Sequence, residues 1–287
     1  MIHAFTIDVE DYHNIIARDH LERDGPPTRC VVDNTHRFLG WLADRSVRAT
    51  FFVLGEVAEF YPELIREIAA GGHELGVHGY YHRQVFKLDR DSFRKEVVDA
   101  KRVIEQITGV AIRGHRAPAF SIMPQTGWGL EVLAEAGFDY DSSVFPIKGR
   151  RYGWPDFPRD IHRVSLANGL SIVEAPMSTV TVLGRRLPAC GGGYIRHFPG
   201  FVTNWAMRRV AKERPAIVYL HPYEIEQGAE IDTASLEPSK SRGIRRFHAL
   251  QLRNRATMEP KILSLLSRFQ FAPLADVIDQ TINSRAG

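Results

Sequence analysis

Short runs of apolar and β-branched residues alternate with amphipathic helical stretches along most of the chain, and this alternation constrains the fold more than any other feature. HAFTIDV (3–9), ATFFVLG (49–55), HELGVHG (73–79), IRGHRAP (112–118), SIVEAP (171–176) and AIVYLHP (216–222) read as buried strands. Between them, Phe38, Trp41 and Leu42 share one face of a helix near 33–45, whose start Asp33 or Asn34 can cap. Leu64, Ile65 and Ile68 mark a helix near 57–70, ended by Gly71 and Gly72. Phe93, Val97, Ala100, Ile104 and Ile107 recur at spacings of three and four before Gly109, and Leu130, Leu133 and Ala134 mark a helix near 126–136. Strands that alternate with helices build a mostly parallel sheet, doubly wound or closed into a barrel, and periodicity does not separate the two. No linker or internal repeat interrupts the pattern, so one α/β domain is expected over 1–287, with a helical extension from about 240.

Composition removes several classes of function. With 287 residues, 44% of them hydrophobic and 25% charged, the chain is neither disordered nor fibrous. Lys and Arg number 37 against 34 Asp and Glu, and a net charge of +3 is too small for the whole molecule to trap nucleic acid. Lys240, Arg242, Arg245, Arg246, Arg253 and Arg255 do form a run with no acid between 240 and 258. We read it as a solvated helix face or a peripheral contact to an anionic, lipid-linked glycan, and expect no nucleic-acid partner. Cys30 and Cys190 form no CxxC pair, which excludes a thiolate zinc cage and fits a reducing compartment. MIHAFTIDVEDYH lacks the basic lead-in of a signal peptide, and no apolar run approaches the roughly 20 residues of a membrane span. A cytoplasmic location is therefore expected.

The polar residues carry the chemistry. Asp8, His78, Arg116 and His221 each stand where an apolar run ends, and in both candidate architectures ligands gather beyond the carboxyl ends of the strands. His78 and His82, four apart in HGYYH, can grip one cation from a helical turn or a tight loop. TIDVED ends a strand in three carboxylates, a repulsion that a cation or an arginine relieves. If the strand runs through Asp8, then Asp8 and Glu10 face the mouth and Asp11 turns aside; a bend at Glu10 brings in Asp11 instead. Two histidines with one carboxylate leave an open position, the pattern of catalytic rather than structural zinc. Arg116, in GHRAPAFS, can hold a carboxylate in a forked grip, or merely pair with a surface acid. Asp139 or Asp141, in FDYDSSVFP, can keep His221 protonated and oriented, with turn hydrogen bonding as the competing role. The glycines at 191–193 lack a P-loop ending and suit a turn at a substrate groove, which Arg150, Arg151, Tyr152 and Trp154 can line.

In order and context, TIDVED, HGYYH, RAP, YDSS and LHP resemble the motifs of the polysaccharide deacetylases of the NodB-homology type, carbohydrate esterases that remove N-acetyl groups from amino sugars. The resemblance spans about 3–270, and CGGGYIRHFP with LHPYEI is similar to a branch associated with bacterial exopolysaccharide and O-antigen assembly. It implies a distorted (β/α)7-type barrel, a divalent metal, most simply zinc, and an N-acetylated glycan as substrate. It further implies Asp8 as general base, Glu10 or Asp11 with His78 and His82 as metal ligands, and Arg116 holding the base. His221 becomes the general acid supported by Asp141, and the Ala119 N–H an oxyanion donor. The chain departs from the commonest pattern in three places: an Asp-Asp pair is spread as DVED, Gly79 replaces a loop-bracing Ser or Thr, and Ala119 replaces an aromatic. Other readings are an amidase acting on a cyclic ureide and a glycan-binding protein with an inactive centre.

Overall fold

A computed structural model describes residues 1–21, 24–149, 152–226 and 242–286. The strands are β1 (Ile2–Val9), β2 (Thr50–Val53), β3 (Glu74–Val77), β4 (Gly114–His115), β5 (Tyr140–Asp141), β6 (His162–Ser165), β7 (Ser171–Glu174), β8 (Thr179–Val182), β9 (Arg185–Pro188), β10 (Ile217–Leu220) and β11 (Gln270–Ala272). The helices are α1 (Tyr12–Leu21), α2 (Arg29–Ala43), α3 (Gly55–Phe60), α4 (Pro62–Ala70), α5 (Arg90–Thr108), α6 (Trp128–Glu135), α7 (Gly192–His197), α8 (Gly200–Val210), α9 (Arg242–Leu252), α10 (Met258–Arg268) and α11 (Leu274–Ala286). None of the described helices is long and apolar enough to cross a membrane.

The main sheet runs β10-β1-β2-β3-β4-β5-β7-β6, and the seven strands from β10 to β7 are parallel. No ladder joins β6 to β10 among the described residues. The gap is bridged instead by Cys190 and Gly191, which pair with Tyr219, and by Ser178, whose Oγ accepts from the Ile217 N–H at 2.7 Å. This is the distorted seven-stranded α/β barrel that the motifs imply. β1 is bonded to β10 on one side and to both β2 and β11 on the other. The stretch expected as a helical extension thus also returns a strand to the sheet.

Alternation along β1 divides the two sides of the sheet. Phe5, Ile7 and Val9 join the outer apolar layer with Phe51, Val53, Val77 and the buried faces of α2, α4, α5 and α10. Thr6 and Asp8 point to the barrel interior, where Phe52 and Tyr140 pack.

Two helix boundaries differ from expectation. α2 begins at Arg29, not near 33, because Asp11 accepts from the Thr28 N–H and, at 3.2 Å, from its hydroxyl, pinning the chain at the helix start. Asp33 and Asn34 therefore lie inside the helix. The stretch near 57–70 is two helices, broken at Tyr61 by Pro62, which opens α4 where its missing N–H costs nothing. α5 ends as read, with Gly109 left-handed at φ 70°.

Candidate active site

The ends of β1, β3, β4 and β10 deliver the polar residues to one cleft of about 480 Å³, lined by Asp8, Glu10, His78, His82, Ala119 and His221 among others. Arg116, just beyond β4, is fully buried beneath it. Its Nη1 donates to Asp8 Oδ1 at 2.8 Å and to Thr6 Oγ1 at 2.7 Å, while Nε and Nη2 reach the Ser142 carbonyl and Oγ, both at 3.1 Å. The Phe52 ring lies 4.3 Å below the guanidinium. A surface ion pair, the plainer role for Arg116, is excluded by this burial. Every arm of the fork is committed, so one oxygen of Asp8 is fixed and the other faces the cleft.

Glu10, His78 and His82 bring one donor atom each within 4.8 Å of one another. Glu10 Oε2 lies 2.9 Å from His82 Nε2 and 3.4 Å from His78 Nε2. Burial pushes the Glu10 carboxyl up, but the His82 and His221 imidazoles and the hydrogen bonds from His78 and His82 outweigh it and hold the group well below the usual range. His78 Nδ1 is bonded to the Arg116 carbonyl at 2.8 Å, which fixes the ring and turns Nε2 toward Glu10. A divalent cation fits this set, two imidazoles and a carboxylate with their lone pairs converging. Asp11, the alternative carboxylate, is turned away to Thr28 and to the His13 N–H, at 3.1 Å from the latter.

HGYYH is a tight loop rather than a helical turn. Gly79 has φ 78°, a conformation glycine adopts without strain, and His82 has φ 57°. The bracing expected of a hydroxyl at 79 comes from the start of α3: the Gly55 N–H donates to the Gly79 carbonyl at 3.0 Å and the Glu56 N–H to that of Tyr80 at 3.2 Å.

His221 follows β10, with Nε2 3.8 Å from Asp8 Oδ2 and 4.0 Å from Glu10 Oε1. The partner expected from YDSS is corrected. Asp141 is occupied by His115 Nδ1 and by the Ser143 hydroxyl, both at 2.7 Å, and Asp139 pairs with Arg113 at 2.8 Å. Glu224, which the sequence reading missed, takes the role: Pro222 starts a 3-10 turn that returns Glu224 Oε2 to 3.1 Å from His221 Nδ1. Glu224 is itself anchored at 2.6 Å by the buried Arg196. Burial lowers the His221 pKa, but Glu10, Glu224 and Asp8 overcome it and raise it from 6.5 to about 9. LHPYE held the signal, an acid three residues past a histidine across a proline.

YDSS braces the opposite wall. The Ser143 hydroxyl accepts from the Ala117 N–H at 2.7 Å, and the adjoining Pro118–Phe120 turn holds Ala119 at φ 53° on the cleft. The Ala119 N–H has no acceptor among the described residues. Beneath lies Glu174, whose carboxyl is raised well above its ordinary value by burial and by Asp141. Tyr152 and Gly193 line the cleft as expected; Trp154 packs on Phe157 instead, and Arg150 and Arg151 lie outside the described residues. A side chain at Gly191 would strike Tyr219 at 1.8 Å, so the triplet allows a close backbone approach rather than a phosphate cradle. In the basic run, Arg255 pairs with Glu226 at 3.4 Å and Arg246 and Arg253 are exposed; Lys240 and the side chains of Arg242 and Arg245 lie outside the described residues.

Residues 24–140 match the polysaccharide deacetylase family, and residues 142–279 match a domain of unknown function, DUF3473. A peptidoglycan-N-acetylglucosamine deacetylase of Bacillus cereus is 33% identical over 109 residues, 38% of each chain. A chitooligosaccharide deacetylase of Rhizobium leguminosarum bv. trifolii is 28% identical over 156 residues, 54% of this chain and 62% of the relative. The chain thus spans between 38% and 62% of these two curated relatives. In fold, it superposes on a candidate polysaccharide deacetylase from Mycobacterium smegmatis with a TM-score of 0.61, at 22% identity, over 98% of this chain and 90% of that one. The likeness to the polysaccharide deacetylase family is thus carried by residues 24–140.

Proposed function

We propose that the protein is a metal-dependent hydrolase that removes N-acetyl groups from the amino sugars of a bacterial polysaccharide or its precursor. The observation that carries this reading is the convergence of Glu10, His78 and His82 with the Arg116-held Asp8 and with His221 around one cleft. Glu10, His78 and His82 hold the ion, and their donor set suits zinc. When bound, it polarises the amide carbonyl and acidifies a neighbouring water.

The chain's own residues do the rest. Asp8 takes a proton from the attacking water, its free oxygen aimed into the cleft by the grip of Arg116 on the other. The Ala119 N–H donates to the oxyanion that develops on the carbonyl. His221, held through Nδ1 by Glu224, gives a proton to the departing sugar amine, which leaves too poorly as an anion. Acetate and a free amino sugar result. The resemblance of CGGGYIRHFP and LHPYEI supports an exopolysaccharide or O-antigen intermediate as substrate.

Acetate release is measured on N-acetylglucosamine oligomers and on allantoin, before and after chelation, with metal analysis of the same sample. Chelation-sensitive release from the oligomers is the expected result. Hydrolysis of allantoin alone moves the assignment to the ureide amidases, and no turnover of either by metal-loaded protein overturns it.

A further inference from the structure

α8 is amphipathic in the wrong sense for a helix that faces only water. Thr203, Ala206, Met207 and Val210 are buried against the body, yet the outward face carries Phe201, 74% exposed, and Trp205, 49% exposed. Arg208 continues that stripe, with Arg209 beside it and Lys212 just beyond the helix, all exposed. No Asp or Glu occurs from Gly191 to Lys212. Large exposed aromatics beside cations are the composition of an interfacial helix that lies in the headgroup region of a bilayer, although Arg209 is paired with Glu213 at 3.3 Å.

The patch adjoins the cleft. Phe198, three residues before Phe201, lines the cleft mouth with His197 and Leu250, and both Phe198 and Leu250 are exposed. Exposed Arg253 lies near His197, extending the positive rim across α9. Arg208, Lys212 and Arg253 have no ion-pair partner among the described residues.

We infer that the outward face of α8, with Phe201 and Trp205 inserted and Arg208 and Lys212 on the headgroups, docks the protein on an anionic lipid surface and sets the cleft mouth against it. This rests on the deacetylase reading and narrows it, placing the glycan substrate at a membrane. The charge argues for lipid over a second copy of the chain, since a two-fold contact through this face would set cations against cations. Phe201 and Trp205 lie outside the cleft lining, which argues against a sugar-stacking role in the site itself.

The test uses the full chain, loaded with zinc, and vesicles of phosphatidylcholine alone or with about one-third phosphatidylglycerol. Co-sedimentation is expected with the anionic vesicles, weakening with salt. It should fall about tenfold or more in the Phe201→Ser/Trp205→Ser double variant and in Arg208→Glu/Lys212→Glu. Acetate release from a soluble N-acetylglucosamine oligomer should be unchanged in both, which also shows that they fold. Wild-type protein that stays in the supernatant, or variants that sediment as well as wild type, overturn the inference. So does a variant defect confined to soluble polymer binding, or to dimer formation in sedimentation velocity. Vesicle binding without deacetylation of any glycan would leave the docking face standing and remove the enzymatic reading; the converse would remove only the docking face.

Discussion

His221 Nδ1 and Glu224 Oε2 lie 3.1 Å apart across a single 3-10 turn, and the other oxygen of Glu224 is held by the buried Arg196. The imidazole is thus tuned from within its own motif. Glu224→Gln removes a charge that raises the His221 pKa, so the alkaline limb of the rate profile should move down. Turnover at neutral pH should drop about 10²-fold or more. Asp141→Asn should leave that limb in place. A pH–rate series on the three proteins checks both statements, and an unmoved limb in Glu224→Gln contradicts the pairing.

Glu10 and Asp11 have separate tasks. Glu10→Gln should lose bound zinc and activity together. Asp11→Ala should keep its zinc and lose about 1 to 2 kcal/mol of stability, because the Thr28 donors at the start of α2 lose their acceptor. Elemental analysis and thermal melts, run with and without chelator, separate the two.

Asp8→Asn keeps the geometry of the Arg116 fork but not the basicity. Its rate is expected to fall about 10²- to 10⁴-fold with metal content intact. Full activity in this variant would mean that another group takes the proton.

Glu174 should leave its mark on the pH dependence of stability. Above the ordinary carboxyl value of 4.5 the unfolded chain releases this proton, whereas the folded protein keeps it, so stability falls as pH rises from there toward the raised native value. Glu174→Gln can still accept from the Val144 N–H and face Asp141 without a titrating proton. Denaturant unfolding between pH 5 and pH 8, expected to give a flatter profile for this variant, provides the comparison.

The sequence exposed those parts of the molecule whose signals are local. Alternation in β1 turned Asp8 inward but left Glu10 and Asp11 as alternatives, and Gly109 marked the end of α5 because left-handed backbone favours glycine. β4 and β5 have only two residues each, too short for a period of two to register, and their neighbours had to be inferred from motif position. β11 pairs with β1 from the far end of the chain, a contact with no local trace. The Asp141 assignment failed for a related reason. His115, an unremarked buried histidine on the adjacent strand, competes for that carboxylate, and only the register of His115 beside Asp141 reveals it.

The position of β1 has a consequence for anyone who would cut this protein into parts. Its neighbours come from the polysaccharide deacetylase segment on one flank and from the later segment on both, while the Asp8 carboxylate it carries lies 3.8 Å from an imidazole more than two hundred residues downstream. Neither matched segment contains Asp8, and His221 belongs to the second alone. The two segments build one sheet and one cleft, and a boundary drawn between them in sequence corresponds to no seam in the folded unit.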